Sequence, residues 1–383
     1  MDMAVYDLAD KEVTASLNLC VIGGSNSVMR HGYVPPLVAQ IENVMGLQVN
    51  LKNLAIGGTF SQFGLWQLLA KKSHRDADVI IVEYGLNDSE LATSATVRQW
   101  AKAYEGLIRR IRHEAPQAQI ICPLLFSRHR AVASGLSSLS SGVVMINKRY
   151  EVATIDVPAE IAAKAPPDYW SVARDWYADG SHYARPFQVM IAELIVAEIR
   201  SGAGRSHRRN VPPISHDHFA DVRSAAEDRI LQTLIPEGIP TETFRNSVIS
   251  ETAYVITPGN MLQLRVTGEI VALIIVSTRN DGVVAYRQDE TVTYAGLYRK
   301  AFADPKFRFL MNTFLPEQYL RTPPLVSESP SIVRIEVLDA ASVAALQPRS
   351  VVSRSTAMIP PDTDHAMSLA LVDIIYTGEL SSI

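Results

Sequence analysis

"ADVIIVEYG" (Ala77–Gly85) runs from Val79 to Val82 through four β-branched apolar residues without one polar alternation. A half-exposed strand alternates; an unbroken run of this length is the pattern of a strand covered on both faces, as in a parallel sheet. Further strand-like segments lie on either side, in "LNLCVIGG" (Leu17–Gly24), "LQVNLKNLA" (Leu47–Ala55) and "AQIICPLLF" (Ala118–Phe126). Between them lie segments with apolar residues at helical spacing: "PPLVAQIENVMG" (Pro35–Gly46), "FSQFGLWQLLAKK" (Phe60–Lys72) and "TVRQWAKAYEGLIRRIRHEA" (Thr96–Ala115). A further helix, a short strand in "EVATIDV" (Glu151–Val157) and a closing helix in "FQVMIAELIVAEIRSG" (Phe187–Gly202) complete the alternation. Strand and helix in strict turn predict an α/β domain, a flavodoxin-like parallel sheet with helices on both faces, over residues 1–203.

Beyond this the texture changes. "SGAGRSHRRNVPP" (Ser201–Pro213) is rich in Gly, Ser, Arg and Pro, and residues 204–213 read as a linker. From residue 214 to 383 short strand-like runs are separated by turn signals such as Asn280-Asp281-Gly282, which predicts a smaller β-sandwich domain.

A chain of 383 residues, 47% apolar and 20% charged, has room for two such domains. Its net charge of -4 gives no basic footprint for nucleic acid. The two cysteines, Cys20 and Cys122, fall in apolar runs and read as buried thiols, not a disulfide framework. The N-terminus lacks the basic and apolar regions of a secretory signal, and no run is long enough to span a membrane, so the expectation is a cytoplasmic protein without membrane insertion. Nothing in the sequence specifies an oligomeric state.

In an open parallel sheet, ligands bind beyond the carboxyl ends of the strands. Ser25 follows the first strand, Gly58 in "NLAIGG" the second, and Asn87 in "EYGLNDS" the third; "DWYADGSHYARP" (Asp175–Pro186) precedes the last helix. Each short motif alone fits ordinary turn or capping chemistry. Together they fit acyl transfer. A serine hydroxyl needs a base to take its proton, a role suited to His182. The histidine needs an orienting carboxylate, and Asp179 is three residues away. A developing oxyanion needs fixed donors, available from the backbone N–H of Ser25 and Gly58 and the amide of Asn87.

These blocks resemble the SGNH hydrolases, also called the GDSL esterase and lipase family, over about the first two hundred residues. Gly23-Gly24-Ser25-Asn26-Ser27 stands at the family's first block, Gly58 at the second, Gly85-Leu86-Asn87-Asp88 at the third, and Asp179 with His182 at the last. The resemblance implies the SGNH hydrolase fold, a Ser25–His182–Asp179 triad, an oxyanion hole of Ser25, Gly58 and Asn87, and no cofactor or metal. The family usually has aspartate where this chain has Gly24 and leucine where it has Asn26. That departure is expected to loosen the turn, to leave space beside the serine and to favour a polar substrate.

Other residues are expected to be ordinary. His31, His74, His113 and His129 read as surface or loop histidines. "SHDHFADV", with His216, Asp217, His218 and Asp221, holds metal-ligand residue types but reads as a polar loop. Ser127–Gly142 falls at the active edge as a candidate lid, and Trp170 and Trp176 as buried aromatics or a sugar platform. The function these readings favour is a serine esterase that removes an acyl group, acetyl for preference, from a carbohydrate or polysaccharide ester. The alternatives are a sugar O-acetyltransferase using the same triad, and a non-catalytic glycan- or partner-binding protein with a relic site.

Overall fold

The computed structural model describes residues 15–89, 96–129, 138–164, 173–205, 211–316, 327–347, 351–353 and 367–383. Five strands form the first sheet: β1 (Ser16–Gly23), β2 (Gln48–Asn53), β3 (Val79–Glu83), β4 (Gln119–Leu124) and β5 (Ala153–Asp156). All pair in parallel, in the order β2-β1-β3-β4-β5. This is the flavodoxin-like order, with its switch point between β1 and β3. Every residue of β3 and β4 is buried, whereas the edge strand β2 is largely exposed.

Helices follow the strands as the sequence predicts. One-turn α1 (Ser25–Val28) follows β1, and α2 (Val34–Met45) begins with prolines and ends at Gly46 in the left-handed conformation. Next come α3 (Ser61–Lys71), one-turn α4 (Gly85–Asp88) and α5 (Val97–Glu114). The helix Arg185–Ser201 closes the domain and ends at Gly202, also left-handed. It packs with α2, while α3 packs with α5. Cys20 and Cys122 are buried, unpaired thiols. His74 is not the surface residue its sequence setting implies: it is fully buried, with Nε2 3.0 Å from Glu114 Oε2.

The second region is a sandwich of two sheets. One has the order β13-β10-β16-β8-β7, from β7 (Thr241–Arg245), β8 (Ser250–Ile256), β10 (Ile270–Thr278), β13 (Phe309–Phe314) and β16 (Leu369–Tyr376), with β6 (Arg223–Ser224) paired to β16. The other has the order β15-β12-β11-β14-β9-β17, from β9 (Met261–Gly268), β11 (Val283–Gln288), β12 (Thr291–Gly296), β14 (Ser327–Val337), β15 (Val351–Ser353) and β17 (Glu379–Ser382). Leu273, Ile275, Leu371 and Ile374 face a core shared with Leu264, Tyr286 and Ile335 of the other sheet.

The opposite face of the β10–β16 sheet is also covered. Ile274, Val276, Met311, Ala370 and Val372 join one continuous apolar cluster with Phe63, Leu65 and Trp66 of α3. That explains why β16 and nearly all of β10 are buried although the sheet is antiparallel. Each large side chain in that layer contributes about 1.5–3 kcal/mol by leaving water. Two polar pairs cross the junction. Trp66 Nε1 donates to Asp373 Oδ2 at 3.0 Å, and Lys102 of α5 forms a buried ion pair with Glu269. Of the stretch that reads as a linker, residues 206–210 lie outside the described residues. Its flanks are tied to the first domain: Ile120 N donates to Gly204 O at 3.0 Å, and Arg109 Nη1 to Val211 O at 2.9 Å.

Candidate active site

β1 ends at Gly23, and the chain turns at Gly24 into α1, whose first residue is Ser25. The turn is held from β3. Gly24 N donates to the Glu83 carbonyl at 3.0 Å and lies 3.3 Å from Glu83 Oε2. The Ser27 hydroxyl donates to the same carboxyl at 3.0 Å and lies 2.8 Å from the Tyr33 hydroxyl. Burial pushes Glu83 up to about 8, against the hydrogen bonds from Ser27 and Gly24 that favour its charged form. An acid inside an apolar strand was a visible signal in "VIIVEYG", and the sequence reading passed over it.

Gly24 is not a loosened position, and it leaves no free space. A Cβ built there would stand 2.4 Å from Asn87 Nδ2. The Asn87 side-chain amide stands in the volume that a Cβ at this position would enter, so a larger residue here requires that amide to shift. Asn26 departs from the expectation in a second way. It is buried, 1% exposed, and does not face a substrate. Its Nδ2 donates to the Ser181 carbonyl at 3.1 Å, and its Oδ1 accepts from Gln188 Nε2 at 3.1 Å and from Tyr183 N at 3.4 Å. Ser181 and Tyr183 flank His182, so Asn26 ties the serine turn to the histidine loop.

That loop is a small closed structure. Ala178 N donates to the His182 carbonyl at 2.8 Å, the Tyr177 hydroxyl to the Phe126 carbonyl at 2.8 Å, and Arg128 N to the Gly180 carbonyl at 2.9 Å. Asp179 Oδ1 accepts from the backbone N–H groups of Ser181 (2.8 Å) and His182 (2.9 Å), which leaves Oδ2 for the ring. His182 Nδ1 lies 2.7 Å from Asp179 Oδ2, and His182 Nε2 lies 2.8 Å from Ser25 Oγ. Partial desolvation opposes charge on Asp179, but the bonds from the His182 ring and the two N–H groups outweigh it and hold the carboxyl below its usual range. An ionised carboxylate only accepts, so the ring donates to it from Nδ1, and Nε2 is the nitrogen that faces the serine hydroxyl.

The other expected donors stand around this line. Asn87 Nδ2 donates to the Thr59 carbonyl at 2.9 Å, which takes one of its two N–H groups. Gly58 is in the left-handed conformation, with φ 72°. Asp88 anchors this side, with Oδ1 accepting from Ser61 N at 3.0 Å and Oδ2 from Trp100 Nε1 at 2.9 Å. Asn53, which the sequence reading did not single out, donates from Nδ2 to the Ser27 carbonyl at 2.8 Å and so joins the exit of β2 to the serine turn.

The remaining candidates lie elsewhere. In the candidate lid Ser127–Gly142, residues 130–137 lie outside the described residues, and Ser138–Arg149 is helical. Trp170 also lies outside them. Trp176 is 3% exposed and packs against Phe187. Asp217 pairs with Arg98 at 2.9 Å, and His218 Nδ1 accepts from Ala220 N at 3.2 Å. Among the described residues no group of three or more His, Cys, Asp or Glu is placed to hold a metal ion, and no helix is long and apolar enough to cross a membrane.

A parallel sheet of this order with a serine after its first strand and an Asp-x-x-His before its last helix defines an SGNH-type domain. Residues 23–183 match the GDSL-like lipase/acylhydrolase family. Over both domains the chain is similar to a two-domain esterase (CEX) active on acetylated mannans: TM-score 0.62 and 14% identity, covering 96% of this chain and 92% of that one. The structure of the esterase co-crystallized with mannopentaose gives TM-score 0.60, also at 14% identity, with 96% and 91% covered. At that identity the likeness establishes a shared two-domain fold. Among curated proteins the chain has no match.

Proposed function

We propose that the protein is a serine esterase that removes an acetyl group from a carbohydrate. The observation that carries this reading is the unbroken relay from Ser25 Oγ through His182 to Asp179, with contacts of 2.8 and 2.7 Å. Ser25 Oγ attacks the ester carbonyl while its proton passes to His182 Nε2. Asp179 accepts from Nδ1–H and stabilises the imidazolium that forms. The oxyanion is received by the N–H groups of Ser25 and Gly58 and the second N–H of Asn87. Collapse breaks the bond to the sugar oxygen, which leaves with the proton from Nε2. A water then gives its proton to His182 and attacks the acetyl-serine, and acetate is released as Ser25 Oγ regains the proton.

The choice of acetyl and carbohydrate is supported by the two-domain likeness to an esterase active on acetylated mannans. Acetate release from acetylated manno-oligosaccharides tests it, with Ser25→Ala as the control. Wild type is expected to release acetate, and Ser25→Ala to lose turnover by about 10⁴-fold or more while melting near wild type. Acetyl transfer to an added sugar without acetate release makes the chain a transferase instead. Turnover by Ser25→Ala within a few-fold of wild type removes the serine mechanism.

A further inference from the structure

The Glu83 carboxyl meets the nucleophile turn on both sides of Ser25. Before the serine, Gly24 N shares its proton between the Glu83 carbonyl at 3.0 Å and Glu83 Oε2 at 3.3 Å. After it, the Ser27 hydroxyl donates to the same Oε2 at 3.0 Å. β1 comes close to β3 here: a Cβ built on Gly23 would stand 2.7 Å from the Glu83 carbonyl oxygen and 3.0 Å from Glu83 Cβ. From the other neighbour of β1, Asn53 Nδ2 donates to the Ser27 carbonyl at 2.8 Å. The Tyr33 hydroxyl, 2.8 Å from Ser27 Oγ, carries the chain of bonds on to the start of α2. The serine thus rides on a turn that one side chain of β3 holds from either end.

Glu83 is 1% exposed. Among the described residues, the titratable groups around it are Tyr33 of α2, Tyr84 beside it in the chain, Asp88 of α4, Cys122 of β4 and Tyr183 of the histidine loop. None of these is a lysine, arginine or histidine, so no cation compensates a buried carboxylate at this place, and an uncompensated buried charge is costly. Burial holds the tyrosines and the thiol above their ordinary values, and Asp88, once ionised, opposes a second negative charge. The carboxyl also lies one peptide unit from the Ser25 N–H, a donor of the proposed oxyanion hole. Negative charge there would oppose the oxyanion as it forms.

We infer that Glu83 is a positioning residue for Ser25: as a neutral acid it holds the nucleophile turn through Gly24 and Ser27 without setting a charge beneath the oxyanion donors. This rests on the serine-esterase reading above. A role in stability alone leaves turnover per folded molecule unchanged. A positioning role makes kcat depend on the acceptor oxygen at residue 83, and neutrality adds a pH signature. A histidine base works deprotonated, so the triad by itself gives a plateau on the alkaline side. Ionisation of Glu83, which burial pushes up to about 8, turns that plateau into a fall.

The test uses the full chain as wild type, Glu83→Ala and Glu83→Gln. kcat and KM are measured on p-nitrophenyl acetate and on acetylated manno-oligosaccharides from about pH 5 to about pH 10, corrected for spontaneous hydrolysis and well below each melting temperature. Near neutral pH, Glu83→Ala is expected to lower kcat about 10- to 100-fold with a smaller change in KM. Glu83→Gln keeps an acceptor without a charge and is expected to recover most of that loss. It is also expected to hold its plateau where wild-type kcat declines above about pH 8. Glu83→Ala with kcat near that of wild type overturns the inference, and so does Glu83→Gln no faster than Glu83→Ala. The same alkaline profile in wild type and Glu83→Gln overturns it too, and that comparison decides by itself if Glu83→Ala does not fold. Wild type that turns over neither ester overturns the esterase reading and this inference with it. An active wild type with any of the preceding outcomes overturns the inference alone.

Discussion

Asn26 Nδ2 donates to the Ser181 carbonyl at 3.1 Å, a bond between residues 155 positions apart that joins the turn of Ser25 to the loop of His182. It is one of three bonds from a single buried amide, and the other two end on Tyr183 N and Gln188 Nε2. The serine and the histidine are thus aligned by a side chain that itself faces neither solvent nor the cleft.

Asn26→Leu, which installs the residue usual in the family, leaves the Ser181 carbonyl, Tyr183 N and Gln188 Nε2 without these partners. A cost of about 1–3 kcal/mol in stability is expected. Misalignment of the relay is expected to lower kcat about 10- to 100-fold, with a smaller change in KM. Thermal melts and steady-state kinetics on p-nitrophenyl acetate check both. A variant with wild-type kcat would show that the alignment survives without the amide.

Gly24 and Asn87 compete for one volume, so their substitutions are expected to couple. Gly24→Ala drives a methyl into Asn87 Nδ2 and is expected to cost about 1–3 kcal/mol. In Gly24→Ala with Asn87→Gly the clash is gone, and the double variant should be more stable than the sum of the single changes by roughly 0.5–3 kcal/mol. Urea unfolding of the four chains measures this. Strict additivity would mean that the turn relaxes around the methyl.

Glu83 makes stability depend on pH. Its carboxyl is held up to about 8 in the folded chain, mainly by burial. The folded state therefore keeps a proton that the unfolded chain releases above about pH 4.3. This contribution is complete below the unfolded value and is lost as pH rises towards about 8, amounting to roughly 2–5 kcal/mol. Asp88, held up to about 7 by the same cause, acts in the same sense. Glu83→Gln carries no titrating proton, so its unfolding free energy is expected to decline less between pH 5 and pH 8. Parallel pH profiles for the two proteins would place the titration on other groups.

The two domains are expected to fail together. Glu269→Ala leaves buried Lys102 with only the Asp217 carboxylate, 3.7 Å away, and is expected to cost up to about 3–5 kcal/mol. A fragment ending at Arg205 uncovers the face of α3 that packs on Ile274, Val276 and Met311, and it is expected to aggregate. The sequence reading of 204–213 as a linker predicts the opposite, a soluble active fragment. Size-exclusion chromatography and circular dichroism on the fragment decide between them, and a monodisperse, cooperatively melting fragment would show that the face tolerates water.

The parallel sheet was legible because its signals are local. Four β-branched residues in a row, glycines at the ends of α2 and Arg185–Ser201, and amphipathic stretches between strands each act within a few residues of chain. The site was legible for a related reason: strand ends, which the same patterns locate, bring Ser25, Gly58 and Asn87 to one edge. Asp179 and His182, three residues apart, can meet within a single turn. The sequence by itself therefore determined the order of elements, the edge that carries the candidate site and the residue types on it. It did not determine that Gly24 packs against the Asn87 side chain, more than sixty positions away. Nor did it determine that Asn26 turns inward or that β10 is covered on both faces. Each of these depends on which surfaces meet after collapse, and packing between distant segments leaves no periodicity in the chain to be read.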